Sequence, residues 1–456
     1  MVKNSSFNVK KAITLLSLGF AFFANAQSWD DIGPSAVVSA GNSSYNNLII
    51  DASGNYYVSY YDVSVAQGSV QKFDGSSWSY LGGSPGITQG IATYNALAMD
   101  TQGTIYYSNQ SFSPVMGMAV RKFSAGTWSD LAPATTSIVN FQALAVSPNN
   151  TLFAYGSDGF GTVRKYNDIG AWEQVGNAGF AGGATFAEMA VGSDNNVYTC
   201  QVANGSVNVY KISANASTTD SWVLVGGTPV ANTYSSDNSY SDMALYNSTP
   251  FVSYVSSTAE GRKLNVKKFD GTSWVQVGNA DFSDTVVNNT AIAVSPDGTP
   301  YVIAEVWDSS SSDHGRNFVY TLNSSTGNWQ KVGGDFISTG ICAFNDIAVD
   351  PVNNYLVVAY SENGTVVKRI SLNSLSVNDV KKEESFAVYP NPTTGVINIK
   401  NDKKLKSAEV TNASGQIMNA RITDQQVDIT DAPKGIYFLK ATFENGKTSV
   451  KKIIRN

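Results

Sequence analysis

Three carboxylates, Glu188, Asp242 and Asp346, occupy the same place in a recurring pattern, one residue before a short apolar segment. Asn47, Ala96, Ala143 and Ala291 fill that place elsewhere, and two residues earlier stands Tyr45, Tyr94, Phe141, Phe186, Tyr240, Asn289 or Phe344. Aromatic faces beside carboxylates and amides suit stacking on sugar rings with hydrogen bonds to their hydroxyls. The three carboxylates could also hold a cation. A plain structural role is the rival reading: rings packing between neighbouring elements, acids accepting local backbone hydrogen bonds. A second candidate is an insertion over residues 306–316, which carries Trp307, Arg316 and His314, the only histidine of the chain.

Catalytic constellations are harder to find. One histidine excludes a multi-histidine metal site, and it would need a serine and a carboxylate that the sequence does not locate. There is no HExxH, nucleophile elbow, phosphate-binding loop or DxDxDG calcium loop. Arg121, Arg164 and Arg369 read as one repeated position in separate repeats rather than a convergent arginine cluster. A pair such as Glu188 with Asp242 could serve glycoside hydrolysis, but any acidic ring supplies such pairs. No catalytic residue, bound metal or cofactor is therefore assigned, beyond the cation that the three carboxylates could hold.

The elements that position these residues follow from a tryptophan repeat. Trp29, Trp78, Trp128, Trp172, Trp222, Trp274 and Trp329 each open a short strand that usually ends in Val-Gly or Gly-Gly. Their spacing of 44 to 55 residues, with all-β content throughout, predicts blades around an axis. Each repeat reads as four antiparallel strands, with a small residue in the innermost (Ala98, Ala145, Ala190, Ala244, Ala293, Ala348), where blades converge. Trp on the outermost strand would plug the widening wedge. The seventh repeat lacks its Trp strand and the first Trp strand has no repeat, so residues 29–32 are expected to complete the last blade. The expectation is an all-β, seven-bladed β-propeller over residues 27–373, closed by the N-terminal strand.

The ends carry addresses. Lys3, Lys10 and Lys11 precede an apolar run over residues 13–23 and Ala24-Asn25-Ala26, which reads as a signal peptide over residues 1–26. No later stretch is long and apolar enough for a transmembrane helix. Residues 27–373 hold 14 Lys and Arg against 27 Asp and Glu, a net of −13, which argues against nucleic acid. Cys200 and Cys342 fall three repeats apart and read as buried thiols rather than a disulfide.

After a polar linker at 374–385 the period stops. Tyr389, Pro390, Asn391, Pro392 and Gly395 sit in a YPNPTTG element, Gly435 and Tyr437 in PKGIYFLK, and the chain ends in a basic-apolar run. Residues 386–456 resemble the C-terminal sorting domain of type IX secretion cargo. That resemblance implies a small Ig-like β-sandwich, the type IX machinery as partner, and export through the periplasm to the outer-membrane surface of a Gram-negative bacterium or beyond it. The repeat itself resembles secreted propellers of the broad lectin, Kelch and sialidase type. The combined expectation is an exported protein binding glycan or protein through its loop face. The alternatives are a carbohydrate-active hydrolase or lyase using the mouth carboxylates, and a structural matrix component.

Overall fold

The computed structural model describes residues 28–33, 37–114, 116–167, 169–234, 241–372, 387–400, 405–412, 417–418, 420–423, 426–443 and 448–456. The signal-peptide reading and the linker therefore fall outside the described residues. The chain divides into two compact units, residues 1–373 and 374–456. The regular structure of the described residues is almost entirely β-strand; their only helix is three short 3-10 turns.

The first unit contains seven antiparallel sheets. Sheet one shows the plan: Ser43–Ile50, Tyr56–Asp62, Gln67–Phe73 and Trp78–Tyr80, paired in chain order. Sheets two to six span 96–130, 142–175, 185–224, 241–276 and 287–331, and sheet four gains a fifth short strand at Ala231–Asn232. Sheet seven takes three strands from 343–371 and its outer strand from Asp30–Asp31, which pairs with Arg369 and Lys368. The first strands of successive sheets touch one another in order, and the last touches the first. This closed series is propeller-like. Cys200 and Cys342 are both buried and unbridged.

Burial explains why such sheets do not separate. The apolar clusters draw on neighbouring sheets: Ala96, Ala98, Met118 and Val120 of sheet two pack with Leu144, Leu152 and Ala154 of sheet three. Neither face could be left in water without exposing a stripe of aliphatic carbon. Small residues recur on the innermost strands, as Ala98, Ala145 and Ala293 do at 7 to 8% exposure.

The tryptophans add a directional tie. Six of the seven indole N–H groups donate to a backbone carbonyl at the end of the preceding sheet's outer strand. Trp78 reaches Ile32 at 2.7 Å, Trp128 reaches Leu81 at 2.7 Å, and Trp172 reaches Ala132 at 2.7 Å. Trp274 reaches Val225 at 3.0 Å, Trp329 reaches Val277 at 2.9 Å, and Trp29 closes the series on Val332 at 3.0 Å. Trp222 departs from the rule. Its indole nitrogen is buried without a hydrogen-bond partner, and its ring instead lies flat on Phe180 at 4.1 Å.

The Gly that follows most of these strands belongs to the same joint. A Cβ on Gly278 would sit 2.7 Å from the Trp329 indole nitrogen, and one on Gly333 would sit 2.6 Å from that of Trp29. The Val-Gly endings thus seat the next repeat's indole rather than merely ending their own strand. One correction concerns register. Val358 pairs with Lys368 as Tyr107 pairs with Arg121, so Lys368, not Arg369, shares the position of Arg121 and Arg164. The Lys-Arg order at 368–369, reversed from Arg121-Lys122 and Arg164-Lys165, makes the two positions easy to exchange.

In the second unit, strands Ala387–Tyr389, Val396–Lys400, Gln426–Asp428 and Arg421–Ile422 form one sheet. Leu405–Asn412, Gly435–Phe443 and Thr448–Arg455 form the other. Ile397, Ile399 and Val427 from the first share a core with Val410, Leu439 and Ile453 from the second. Asn391 is clasped to the last strand, donating to the Lys452 carbonyl and accepting from the Ile454 N–H. Tyr437 donates to the Pro433 carbonyl, and Gly395 has no room for a Cβ beside Thr430.

Gly278→Ala should cost stability, because φ is +69° and the new carbon would strike Leu322, Trp329 and the Gly327 carbonyl. A loss of about 1–3 kcal/mol is expected in urea unfolding. Gly183→Ala, with open space around it, should shift the same transition by less than about 0.5 kcal/mol.

Candidate functional site

Five of the seven first strands are entered through a distortion among the described residues. Register shifts fall between Ser44 and Asn47, Thr185 and Ala187, Asn288 and Ala291, and Ala343 and Asp346. Within them Tyr45, Phe186, Asn289 and Phe344 take left-handed φ values of 42° to 56°, and Tyr94 matches at 50° just before its strand. For side chains other than Gly or Asn this conformation costs of order 1–3 kcal/mol each. A bulge re-aims the side chain it carries. Here the re-aimed rings, joined by Phe141 from an undistorted entry, meet one another in an arc: Phe344 to Tyr45 at 4.6 Å, Tyr45 to Tyr94 at 4.9 Å, Tyr94 to Phe141 at 5.9 Å, Phe141 to Phe186 at 4.8 Å.

The arc rims a cavity of about 330 Å³. Tyr45, Asn47, Tyr94, Glu188, Asp242 and Asp346 all line it, so six of the sequence candidates converge there. Tyr240 lies outside the described residues. Trp307, His314 and Arg316 are not among the lining residues; their loop follows Val306, which lies one strand outward from the innermost one and pairs with Val287. Trp307 packs on His314 at 4.8 Å, and Arg316 pairs with Asp313 and covers the Phe336 ring. The loop is occupied with itself and with a separate side cavity lined in part by Ser311, Asp313 and Phe336.

Between the aromatic and carboxylate positions lies a layer that the repeat pattern did not single out. Asn46 donates to the Phe344 carbonyl at 3.1 Å, Asn95 to that of Tyr45 at 2.9 Å, Asn345 to that of Asn289 at 3.1 Å, and Gln142 to that of Tyr94. Each amide therefore holds the strained carbonyl of the preceding sheet. The signal was the run of three amides and one glutamine at one repeat position.

The carboxylates are tied the same way, though not all of them. Asp242 accepts from Met243 N–H and from Ile292 N–H of the next sheet, each at 2.7 Å. Asp346 accepts from Ile347 N–H at 2.7 Å and from Leu48 N–H, across the closure, at 2.6 Å. Glu188 receives no hydrogen bond or ion pair from any described residue. Its side chain is exposed to the cavity, while the protein atoms packed around it desolvate the carboxyl and push its pKa well above the carboxylate range, and the neighbouring Asp242 and Asp346 push it further. Burial also raises Asp242 to about 6, against the pull of its two N–H donors. It raises Asp346 to about 7, with Leu48 N–H opposing and Asp242 reinforcing. No three His, Cys, Asp or Glu side chains among the described residues are grouped closely enough to hold a metal ion.

Residues 387–456 match the family model of the secretion system C-terminal sorting domain. This agrees with the resemblance carried by the YPNPTTG and PKGIYFLK elements and indicates handling by the type IX system. A 117-residue stretch is 32% identical to Beta-agarase D of Zobellia galactanivorans, covering 24% of each protein. The chain thus matches about a quarter of that curated relative's length. A lectin of Aleuria aurantia crystallised with Fucalpha1-6GlcNAc is similar in fold at 14% identity and TM-score 0.43, over 66% of this chain and 98% of that one. An ulvan lyase of polysaccharide lyase family PL25 is similar at 12% identity and TM-score 0.48, over 74% of this chain and 96% of that one. These likenesses concern fold alone. No helix among the described residues is long and apolar enough to cross a membrane.

The raised carboxyls make a signed prediction. An acid that keeps its proton in the folded state above its unfolded pKa is lost as a stabilising group when pH rises through the folded value. Glu188→Gln should therefore match the native protein in urea resistance near pH 4, where both side chains are neutral. It should exceed the native protein near pH 8, as read from paired unfolding midpoints.

Proposed function

We propose that the first unit is a seven-bladed β-propeller that binds carbohydrate in its axial cavity, and that the second is an Ig-like sorting domain delivering it to the cell surface or beyond. The observation that carries this reading is the aromatic arc of Phe344, Tyr45, Tyr94, Phe141 and Phe186 above a floor of amides and carboxyls. Aromatic faces stack on the C–H faces of a pyranose, while Asn47, Glu188, Asp242 and Asp346 offer hydrogen bonds to its hydroxyls. Carboxyls that retain protons near neutrality can donate as well as accept, which suits hydroxyl partners. A concave site with few convergent polar groups at the axis is where a ligand is ordinarily held. The stretch shared with an agarase supports a setting in which polysaccharide is handled.

Under this reading the signal peptide, residues 1–26, takes the chain to the periplasm, and residues 374–385 link the two units. A second reading, a carbohydrate-active enzyme, is favoured by one observation: paired carboxyls held at raised pKa in a cavity are also what general acid chemistry uses. Release of oligosaccharide from a polysaccharide, lost in Glu188→Gln, would support it over simple binding.

On a glycan array and by titration, Tyr45→Ala and Tyr94→Ala should each weaken the best ligand about tenfold or more, as central aromatic contacts do. Trp307→Ala should leave that affinity unchanged. Loss of binding on Trp307→Ala with no effect at Tyr45 or Tyr94 would move the site off the axis. Deleting residues 387–456 should retain the protein inside the outer membrane, read by protease accessibility on whole cells.

A further inference from the structure

The cavity is unbalanced in its hydrogen-bonding and charge. Among the described residues its lining contains three carboxyls, five aromatic rings and several amides, and no Lys, Arg or His. Gln142 is 8% exposed and lines it; its amide N–H₂ is committed to the Tyr94 carbonyl, which leaves Oε1 as a buried acceptor with no donor. The orientation of that amide follows from its partner, because a carbonyl can only be met by the nitrogen. On the adjacent sheet Glu188 is likewise without a donor. Asp242 and Asp346 spend their oxygens on backbone N–H groups yet stay close enough to raise the Glu188 pKa. The aromatic faces add the negative side of their quadrupoles.

Resting on the carbohydrate reading above, we infer that the axial cavity selects a sugar carrying a protonated amino group over neutral, N-acylated or sulfated sugars. A primary ammonium brings three N–H donors and a positive charge, which is what Gln142 Oε1, Glu188 and the rings lack. A cation over aromatic faces gains further when desolvated. A sulfate or uronate would meet three carboxyls with no cation to receive it.

Proton linkage follows. The titratable groups facing Glu188 are Asp242, Asp346 and, behind it on the paired strand, the Cys200 thiol, which burial holds protonated. Tyr45 at the rim is raised to about 12 by burial and by Tyr94, so it stays neutral throughout. Arrival of an ammonium favours the ionised carboxyls, so binding releases protons and tightens as pH rises from about 5 to about 6.5, where a sugar amine is still charged.

The test is calorimetric titration of the full chain with glucosamine tetramer and with N-acetylglucosamine tetramer, at both pH values and in two buffers of different ionisation enthalpy. The expected result is about tenfold tighter binding of the amine form near pH 6.5, with buffer-dependent heat, and a smaller preference near pH 5. Glu188→Gln, checked for native circular dichroism, should erase both the preference for the amine form and the proton release. Equal affinities, or a preference for the acetylated or a sulfated oligosaccharide, would overturn the inference and leave the carbohydrate reading standing. If no sugar on the array depends on Tyr45 or Tyr94, both fall together.

Discussion

A closed series of sheets must join each member to the one before it, and here the joint is an indole. The Trp N–H satisfies a carbonyl that the preceding sheet's outer strand leaves exposed at its end, and the Gly beside that carbonyl makes room for the ring. Burying the ring and satisfying its polar atom happen in one contact, which a Phe or Leu could not reproduce. The joint between sheets six and seven is made by Trp29, more than three hundred residues away in sequence from its acceptor Val332. The chain ends of the first unit are thereby held by the same interaction as the other seams, the one at Trp222 excepted.

With the outer seams fixed, the inner ends of the sheets can carry strain. The left-handed residues at the mouth would relax if their carbonyls were free, but Asn46, Asn95, Gln142 and Asn345 hold four of those carbonyls across a seam. Asp242 and Asp346 tie the next layer by binding N–H groups of two sheets at once. The polar groups at the mouth thus divide into those that build it and those it offers. Glu188 and Gln142 Oε1 belong to the second set.

Much of this was legible in the sequence because the repeat is strong. The Trp spacing, the small inner residues and the missing strand of the seventh repeat led directly to seven sheets, with the N-terminal strand paired to Lys368 and Arg369. The aromatic and carboxylate positions were legible too, since a repeat places equal positions at equal depth. What the pattern could not convey was conformation. Nothing in Tyr45 or Phe344 as residue types announces a left-handed backbone, and the bulge that produces it inserts no consensus residue. The amide layer was overlooked because it is conserved in role at only four of seven repeats. Trp307 and His314 attracted attention through rarity, yet rarity says nothing of placement, and they pack on each other without lining the cavity.

The collar positions have a consequence for how such a molecule can diversify. The collar side chains touch one another across the seams, but four of those seams are tied by the amides beneath them, so a collar residue can change without breaking those ties. Asn289 already occupies one such position with an amide, a residue that tolerates the left-handed turn well. The six such places described around one opening give the chain a combinatorial palette: a new recognition surface can be composed by swapping single letters, with the amide ties left as they were.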